Sequence, residues 1–355
     1  MTATPTTDNT PKNKRSKKRL LIILSVVLSV ILVAVSAFFI TLKIGEMKLR
    51  KNLVANETIE NTEDGVDDNV VYHNGKAYYY NENLINLLLI GVDRESDSTS
   101  ENGQADALYL VSVDTDTNKV KIVGISRNTL CEMNVYGSDG KPYGTENAQI
   151  CLAYAYGSND VNASENCAAA VSDLLFNIPI NGYYTIYFDS LSQIVNMVGG
   201  VRVTVPADTL DPQFANIKGT SAVLDGSKAM SFLRMRNDSN APRVERHMEF
   251  ISGFINSAKS AVKKDFSLPV KIANKLSNES VTNIDVSGML YLATEALNWQ
   301  TEFINISGEY SIENDLEIFT VDEEKLKDTV IDNFYIAEKC YDYIKIIKIK
   351  RIATR

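Results

Sequence analysis

The sequence predicts an α/β fold: a single α/β/α sandwich domain with a mixed central sheet, preceded by one transmembrane helix. Three observations carry that expectation. LINLLLIGVD (Leu84–Asp93) is a near-continuous apolar run, which suits a strand covered on both faces by helices. Strand-like and helix-like segments interleave from Leu84 to about Tyr335 without an internal repeat, as one layered domain requires. LLIILSVVLSVILVAVSAFFI (Leu20–Ile40) holds neither a charge nor a proline. At about 1.5 Å per residue it covers the roughly 30 Å hydrocarbon layer of a membrane.

The elements follow in order. Residues 1–19 form a basic head of six cationic side chains and one acid, and residues 20–42 are the expected transmembrane helix. A cleaved signal would carry its small-residue site after the apolar run, whereas Ala34, Ser36 and Ala37 lie inside it. The excess of lysine and arginine then keeps residues 1–19 in the cytoplasm and places the rest outside a single-pass cell membrane protein. Residues 43–83 read as an acidic juxtamembrane linker ending in a short hairpin, VVYHNGKAYYY, with Asn74-Gly75 at its turn. The domain spans residues 84–340. Ala107–Asp114 and Lys119–Ser126 are strands joined by a polar turn.

Ile150–Tyr156 and Ser164–Phe176 are helical, with Ser164 the expected N-cap. Tyr183–Phe188 is a strand, Leu191–Val198 a helix stopped by Gly199-Gly200, and Val201–Val205 a strand. Gly226–Ser231 reads as a short helix, FLRMR as a strand, and Arg243–Val262 as a long helix with apolar positions three or four apart. Ser287–Leu297 and Asp322–Ile331 are helical, and GEYSIENDLEIFTV between them includes strands. Residues 341–355 are a basic tail in which isoleucine alternates with charge, a pattern for an anionic membrane surface or a solvated end.

Charge and cysteine content narrow the function. The whole chain carries −9, and setting aside the +5 of the head leaves −14 for the remainder, which argues against nucleic acid as a partner. Four cysteines, Cys131, Cys151, Cys167 and Cys340, permit one or two disulfides outside the cytoplasm, Cys151 with Cys167 or Cys131 with either. With two histidines and no CxxC pair, a zinc site is not expected.

Against this acidic background, FLRMRNDSNAPRVERH (Phe232–His247) gathers Arg234, Arg236, Arg243 and Arg246. On a strand, Arg234 and Arg236 would share a face, and at the start of a helix Arg243 and Arg246 lie one turn apart. Pro242 suits that first turn, where free N–H groups and the dipole favour an anion. A solvated basic face is the plain alternative. Four guanidinium groups this close repel one another without a counter-anion, and arginine is suited to phosphate oxygens, so a phosphate-type site is the expectation. Asp93 ends the buried run, Asp106 precedes one strand and Arg127 follows another. Singly, each has an ordinary structural reading.

Together these pieces resemble the LytR–CpsA–Psr family of bacterial envelope enzymes. The matching segments are NLLLIGVD, QADALYLVSVDTDTNKVKIVGISRNT, LAYAYG, IPINGYYTIYFDSLSQIVNMVGGVRVTV and LDGSKAMSFLRMRNDSNAPRVERHMEFI, in order over roughly residues 84 to 260. The resemblance implies a membrane-anchored phosphotransferase. Its donor is a polyprenyl-pyrophosphate-linked glycopolymer of teichoic acid or capsular type, and its acceptor is peptidoglycan. It implies that Arg127, Arg234, Arg236, Arg243 and Arg246 grip the pyrophosphate. Asp93 and Asp106 would hold Mg²⁺ and activate the acceptor, with Arg127 and Arg234 also catalytic. The chain departs from the family where Gln104-Ala105-Asp106 replaces Arg-Ser-Asp, Ser126-Arg127-Asn128 replaces Pro-Arg-Asp, and His247 replaces a glutamine. A non-catalytic binder of such lipids or wall polymer, and a lipid pyrophosphate hydrolase, stay open beside the transferase.

Overall fold

The structure is a computed structural model that describes residues 32–33, 35–54, 70–94, 103–235 and 241–338, with the backbone alone at residues 189 and 241–244. A helix over residues 35–51 (α1) is seated on the domain. Leu49 is buried with Leu42 beside it, and Arg50 donates to the Glu82 carbonyl at 3.1 Å. Among the described residues no helix is long and apolar enough to cross a membrane, and most of the expected span 20–42 lies outside them.

The hairpin forms as expected, from β1 (Val70–His73) and β2 (Lys76–Tyr80). Asn74 and Gly75 have φ of 50° and 73°, the left-handed pair that a two-residue type I′ turn requires. Next come β3 (Leu84–Val92), β4 (Ala105–Asp114) and β5 (Lys119–Ile125), paired antiparallel in succession. A second hairpin, β6 (Leu130–Tyr136) with β7 (Pro142–Gln149), was not anticipated; most of β7 is exposed and polar, so it lacks an apolar period. Short α2 (Leu152–Ala155) precedes α3 (Asp160–Leu174).

The cap of α3 is Asn159, whose side chain accepts from the Val161 and Asn162 N–H groups. Ser164, expected there, lies inside the helix and meets the Thr185 hydroxyl at 2.7 Å. β8 (Gly182–Tyr187) runs straight into α4 (Phe188–Met197), and β9 (Val201–Thr204) pairs with β10 (Ser221–Leu224).

FLRMR is not a strand. Residues Gly226–Arg234 form one helix, α5, with Asp225 accepting from the Lys228 N–H at 2.9 Å as its cap. Ala229, Met230, Phe232 and Leu233 are buried at helical spacing, and that apolar face overrides the two-residue alternation of the arginines. A Cβ on Gly226 would stand 2.1 Å from the Ser192 carbonyl oxygen, so only glycine lets α5 start this close to α4. Then follow α6 (Ala241–Lys264), α7 (Leu268–Lys275), β11 (Ser280–Thr282), α8 (Val286–Glu295), β12 (Gln300–Asn305), β13 (Gly308–Glu313), β14 (Leu316–Val321), α9 (Glu323–Phe334) and β15 (Tyr335–Ala337).

Six strands form the central sheet in the order β11-β8-β3-β4-β5-β12, with β3 parallel to β8, β5 parallel to β12, and the remaining pairs antiparallel. Alternate side chains separate into two cores. Leu88, Ile90, Leu110 and Val123 pack with Ala168, Val171 and Val330 of α3 and α9. Ile85, Leu87, Val111 and Ile122 pack on the other face with Leu49, Ile251 and Tyr291 of α1, α6 and α8. The sheet is therefore sandwiched, and each such aliphatic side chain contributes about 1.5–3 kcal/mol by leaving water. A third cluster, around Phe214, Phe232 and Phe250, fixes α5 against β9 and α6.

Candidate functional site

β3, β5 and β8 run in one direction and end at one edge of the sheet, where antiparallel β4 begins. Ligands of such sheets gather beyond carboxyl strand ends. Asp93 directly follows β3, Arg127 follows β5 by two residues, and Phe188 directly follows β8.

Asp106 reaches this edge through a backbone irregularity. The β3–β4 register passes from Gly91↔Ala107 to Val92↔Ala105, which leaves Asp106 as the extra residue of a β-bulge. A bulge re-aims a side chain while bending its strand locally. The Asp106 carboxylate is only 9% exposed and accepts from Arg127 Nη1. Arg127 Nη2 donates to Gln104 Oε1 at 2.5 Å and lies 3.6 Å from Cys151 Sγ. Cys151 holds both sides of this pair: its N–H donates to the Arg127 carbonyl at 3.1 Å, and its carbonyl accepts from Ala105 N–H at 3.0 Å.

Cys131, Cys151 and Cys167 are free thiols, so none of the three pairings open among them is formed; Cys340 lies outside the described residues. Burial pushes Cys131 up to about 12 and raises Cys167. Burial also raises Cys151, against the opposing charge of Arg127.

The second pair joins Asp93 Oδ1 to Arg234 Nη2 at 2.7 Å, with both side chains about half exposed. The Arg234 guanidinium lies 5.0 Å over the Phe188 ring, a cation–π contact that steers it toward the strand ends. Two residues beyond the expected set, Arg94 and Asp160, form an ion pair next to Asp93 in the chain. Arg94 Nη2 donates to both Asp160 carboxylate oxygens, at 2.8 and 2.9 Å, and Asp160 also accepts from Tyr154 and Tyr187 hydroxyls at 3.0 and 2.8 Å. Arg94 stood next to Asp93 in the sequence, but nothing local linked it to Asp160.

The cluster that drew attention in the sequence divides in space. Arg234 ends α5. Arg246 is 4% exposed, and its guanidinium donates to the carbonyls of Phe232, at 3.3 Å, and of Met235. His247, also buried, meets Leu233 O at 3.0 Å through Nε2 and the Tyr109 hydroxyl at 2.9 Å through Nδ1. Together they tie the end of α5 to α6 and the sheet, so the backbone that carries Arg234 is clamped. Arg243 stands in the first turn of α6, described by its backbone alone, and Arg236 lies outside the described residues.

Asn128, at a family departure, donates to Glu317 Oε2 at 3.1 Å and accepts from Gln149 Nε2 at 3.2 Å. It ties the loop after β5 to β14. The edge thus presents two carboxylate–guanidinium pairs whose net charge is near zero.

A family model described as the LytR_cpsA_psr family matches residues 46–332. The chain belongs to the LytR_cpsA_psr family. Polyisoprenyl-teichoic acid–peptidoglycan teichoic acid transferase TagU of Oceanobacillus iheyensis is 25% identical over 253 residues, which cover 70% of this chain and 74% of that protein. Biofilm regulatory protein A of Streptococcus mutans is 29% identical over 225 residues, 60% of this chain, which spans only about half (53%) of that relative. Among solved structures, Bacillus subtilis TagV superposes with a TM-score of 0.57 at 26% identity, covering 70% of this chain and 95% of TagV. TagT bound to LIIa-WTA shares the fold at a TM-score of 0.54 and 23% identity, over 70% of this chain and 88% of TagT. The family's mixed α/β fold is the one predicted from the sequence.

Proposed function

We propose that this family member is a phosphotransferase that moves a polyprenyl-pyrophosphate-linked anionic glycopolymer, of teichoic acid or capsular type, onto peptidoglycan. Residues 20–42 would anchor it in the cell membrane, with the domain outside. The observation that carries the reading is the pair of arginines, Arg127 and Arg234, each held by an aspartate at one edge of the sheet. In the reaction an acceptor hydroxyl oxygen bonds to the polymer-side phosphorus, the bond to the prenyl phosphate breaks, and the hydroxyl proton passes to a carboxylate. Negative charge grows on the leaving phosphate, and guanidinium groups already in place stabilise it without reorganising.

Arg127 and Arg234 grip the pyrophosphate in this reading, with Arg236 and Arg243 joining from the segment after α5. Arg246 serves them by clamping the α5 terminus. Asp106, nearly enclosed beside Arg127, is suited to accept the proton once its guanidinium turns to phosphate. Mg²⁺ takes one or two protein carboxylates and completes its shell with phosphate oxygens and water. Asp93 and Asp106 would hold the ion, whose charge would further neutralise the phosphates.

The test combines the purified full chain with a lipid-linked teichoic acid precursor and peptidoglycan in Mg²⁺. Transfer by the wild type and its loss in Arg234→Ala and Asp106→Ala support the proposal. Affinity without product would make the chain a binder, and release of polymer to water alone would make it a hydrolase.

A further inference from the structure

A cavity of about 750 Å³ opens between the ends of β5 and β12 and the β13–β14 hairpin. It neighbours one of the paired arginines, Arg127, and the start of α6. Ser126, in its wall, directly precedes Arg127, and Glu245, opposite, directly precedes Arg246. The Tyr310 hydroxyl donates to Ser126 Oγ at 3.2 Å, so the hairpin is fastened to the Arg127 loop.

The lining has a charge opposite to that of the arginines. Glu245, Glu309 and Asp322 face a single cation, Lys325, whose ammonium is already 2.7 Å from Asp322. A polyanionic donor is therefore repelled here and drawn to the guanidinium groups next door, so the cavity and the arginine pairs sort substrates by charge. The chemistry of the lining narrows the occupant further. Tyr310 is 36% exposed, and Phe319 braces its ring at a centroid distance of 4.7 Å. Such a ring offers an apolar platform to the C–H face of a sugar. Asn305, Ser307 and Glu309 add amide, hydroxyl and carboxylate partners for hydroxyl groups. The volume falls within the roughly 300–1,000 Å³ of ordinary ligand sites.

We propose that this cavity is the acceptor subsite and takes an uncharged sugar unit of a glycan strand, its hydroxyl directed toward Arg127 and Asp106. The assignment rests on the transferase reading above. It is tested on the full chain with an uncharged N-acetylglucosamine tetramer as the probe, by saturation-transfer NMR and calorimetry, and with acceptor KM measured in the transfer assay. Tyr310→Ala removes the platform, and Thr320→Trp fills the cavity from the exposed face of the hairpin without shortening any core side chain.

Both variants are expected to weaken tetramer binding and raise acceptor KM at least tenfold, and Thr320→Trp, which leaves the Tyr310–Ser126 hydrogen bond in place, should keep donor affinity at the wild-type value. Arg234→Ala should leave tetramer binding intact. Unchanged tetramer affinity and acceptor KM in both variants would overturn the proposal while leaving the transferase reading in place. Failure of the transferase reading looks different: the wild type yields no product, yet binding of the tetramer, sensitive to both variants, keeps the sugar assignment standing.

Discussion

Asp93 Oδ1 and Arg234 Nη2 stand 2.7 Å apart, joining the carboxyl end of a central strand to the last residue of a helix 141 positions later. Half-exposed ion pairs of this kind contribute about 0–1 kcal/mol to stability. Arg234→Ala is therefore expected to leave the thermal midpoint nearly unchanged. Removing a pre-placed charge stabiliser should lower transfer roughly 10²–10³-fold. Parallel melting curves and single-turnover transfer rates measure both, and equal rates would remove Arg234 from the mechanism.

Arg246 behaves in the opposite way. Its truncation strands the buried carbonyls of Phe232 and Met235, each at a cost of about 1–3 kcal/mol. Arg246→Ala should show a clear loss of stability in urea together with lost activity. His247→Gln should be mild by comparison, since a glutamine amide also offers one donor and one acceptor for Leu233 O and the Tyr109 hydroxyl. His247→Leu, which satisfies neither, should cost several times more.

Asn128→Asp would bring the family's usual carboxylate within reach of Glu317, where an amide now donates at 3.1 Å. Losing a hydrogen bond to a charged group in a buried setting costs roughly 1–3 kcal/mol, and two carboxylates in its place repel. The variant should be less stable than the wild type at pH 7 and recover as the pH falls toward 5. A deficit that stays constant across that range would contradict the account.

Asp160 sets the acid limit of its network with Arg94, Tyr154 and Tyr187. Burial alone would raise its carboxyl, but hydrogen bonds from Arg94 and Tyr187, with the charge of Arg94, outweigh it and hold it below the ordinary aspartate value. Because the folded value lies below the unfolded one, the carboxylate stabilises the fold throughout the range above about pH 4 and loses that contribution only as pH falls through the folded value. Wild-type stability should thus drop on the acid side of pH 4. Asp160→Asn should be less stable at pH 7 and show a shallower acid limb by urea titration.

The sequence made the central sheet legible because Leu84–Val92, Ala105–Asp114 and Lys119–Ile125 carry their burial in their own composition. Asp93, Asp106 and Arg127 were placed by the ends of those strands. The arginine cluster was harder. FLRMR alternates over only five residues, while the helical face of Met230 and Leu233 extends back to a cap at Asp225, outside that window. Arg246 looked like a ligand because guanidinium groups seldom turn inward, and only the open carbonyls of α5 give it a reason to. The partnership of Arg94 with Asp160 depends on α3 packing on the sheet beside β8, which no local pattern encodes.

The small sheet of β1, β2 and β15 carries a consequence for how the chain is made. Tyr80 pairs with Tyr335, so among the described residues the outer edge of an early strand is covered by one of the last. Until residues 335–337 are available, Tyr78–Tyr80 present an open, aromatic strand edge of the kind that recruits other chains. A domain truncated at α9 is expected to keep its central sheet yet expose this edge, which β15 closes in the finished fold.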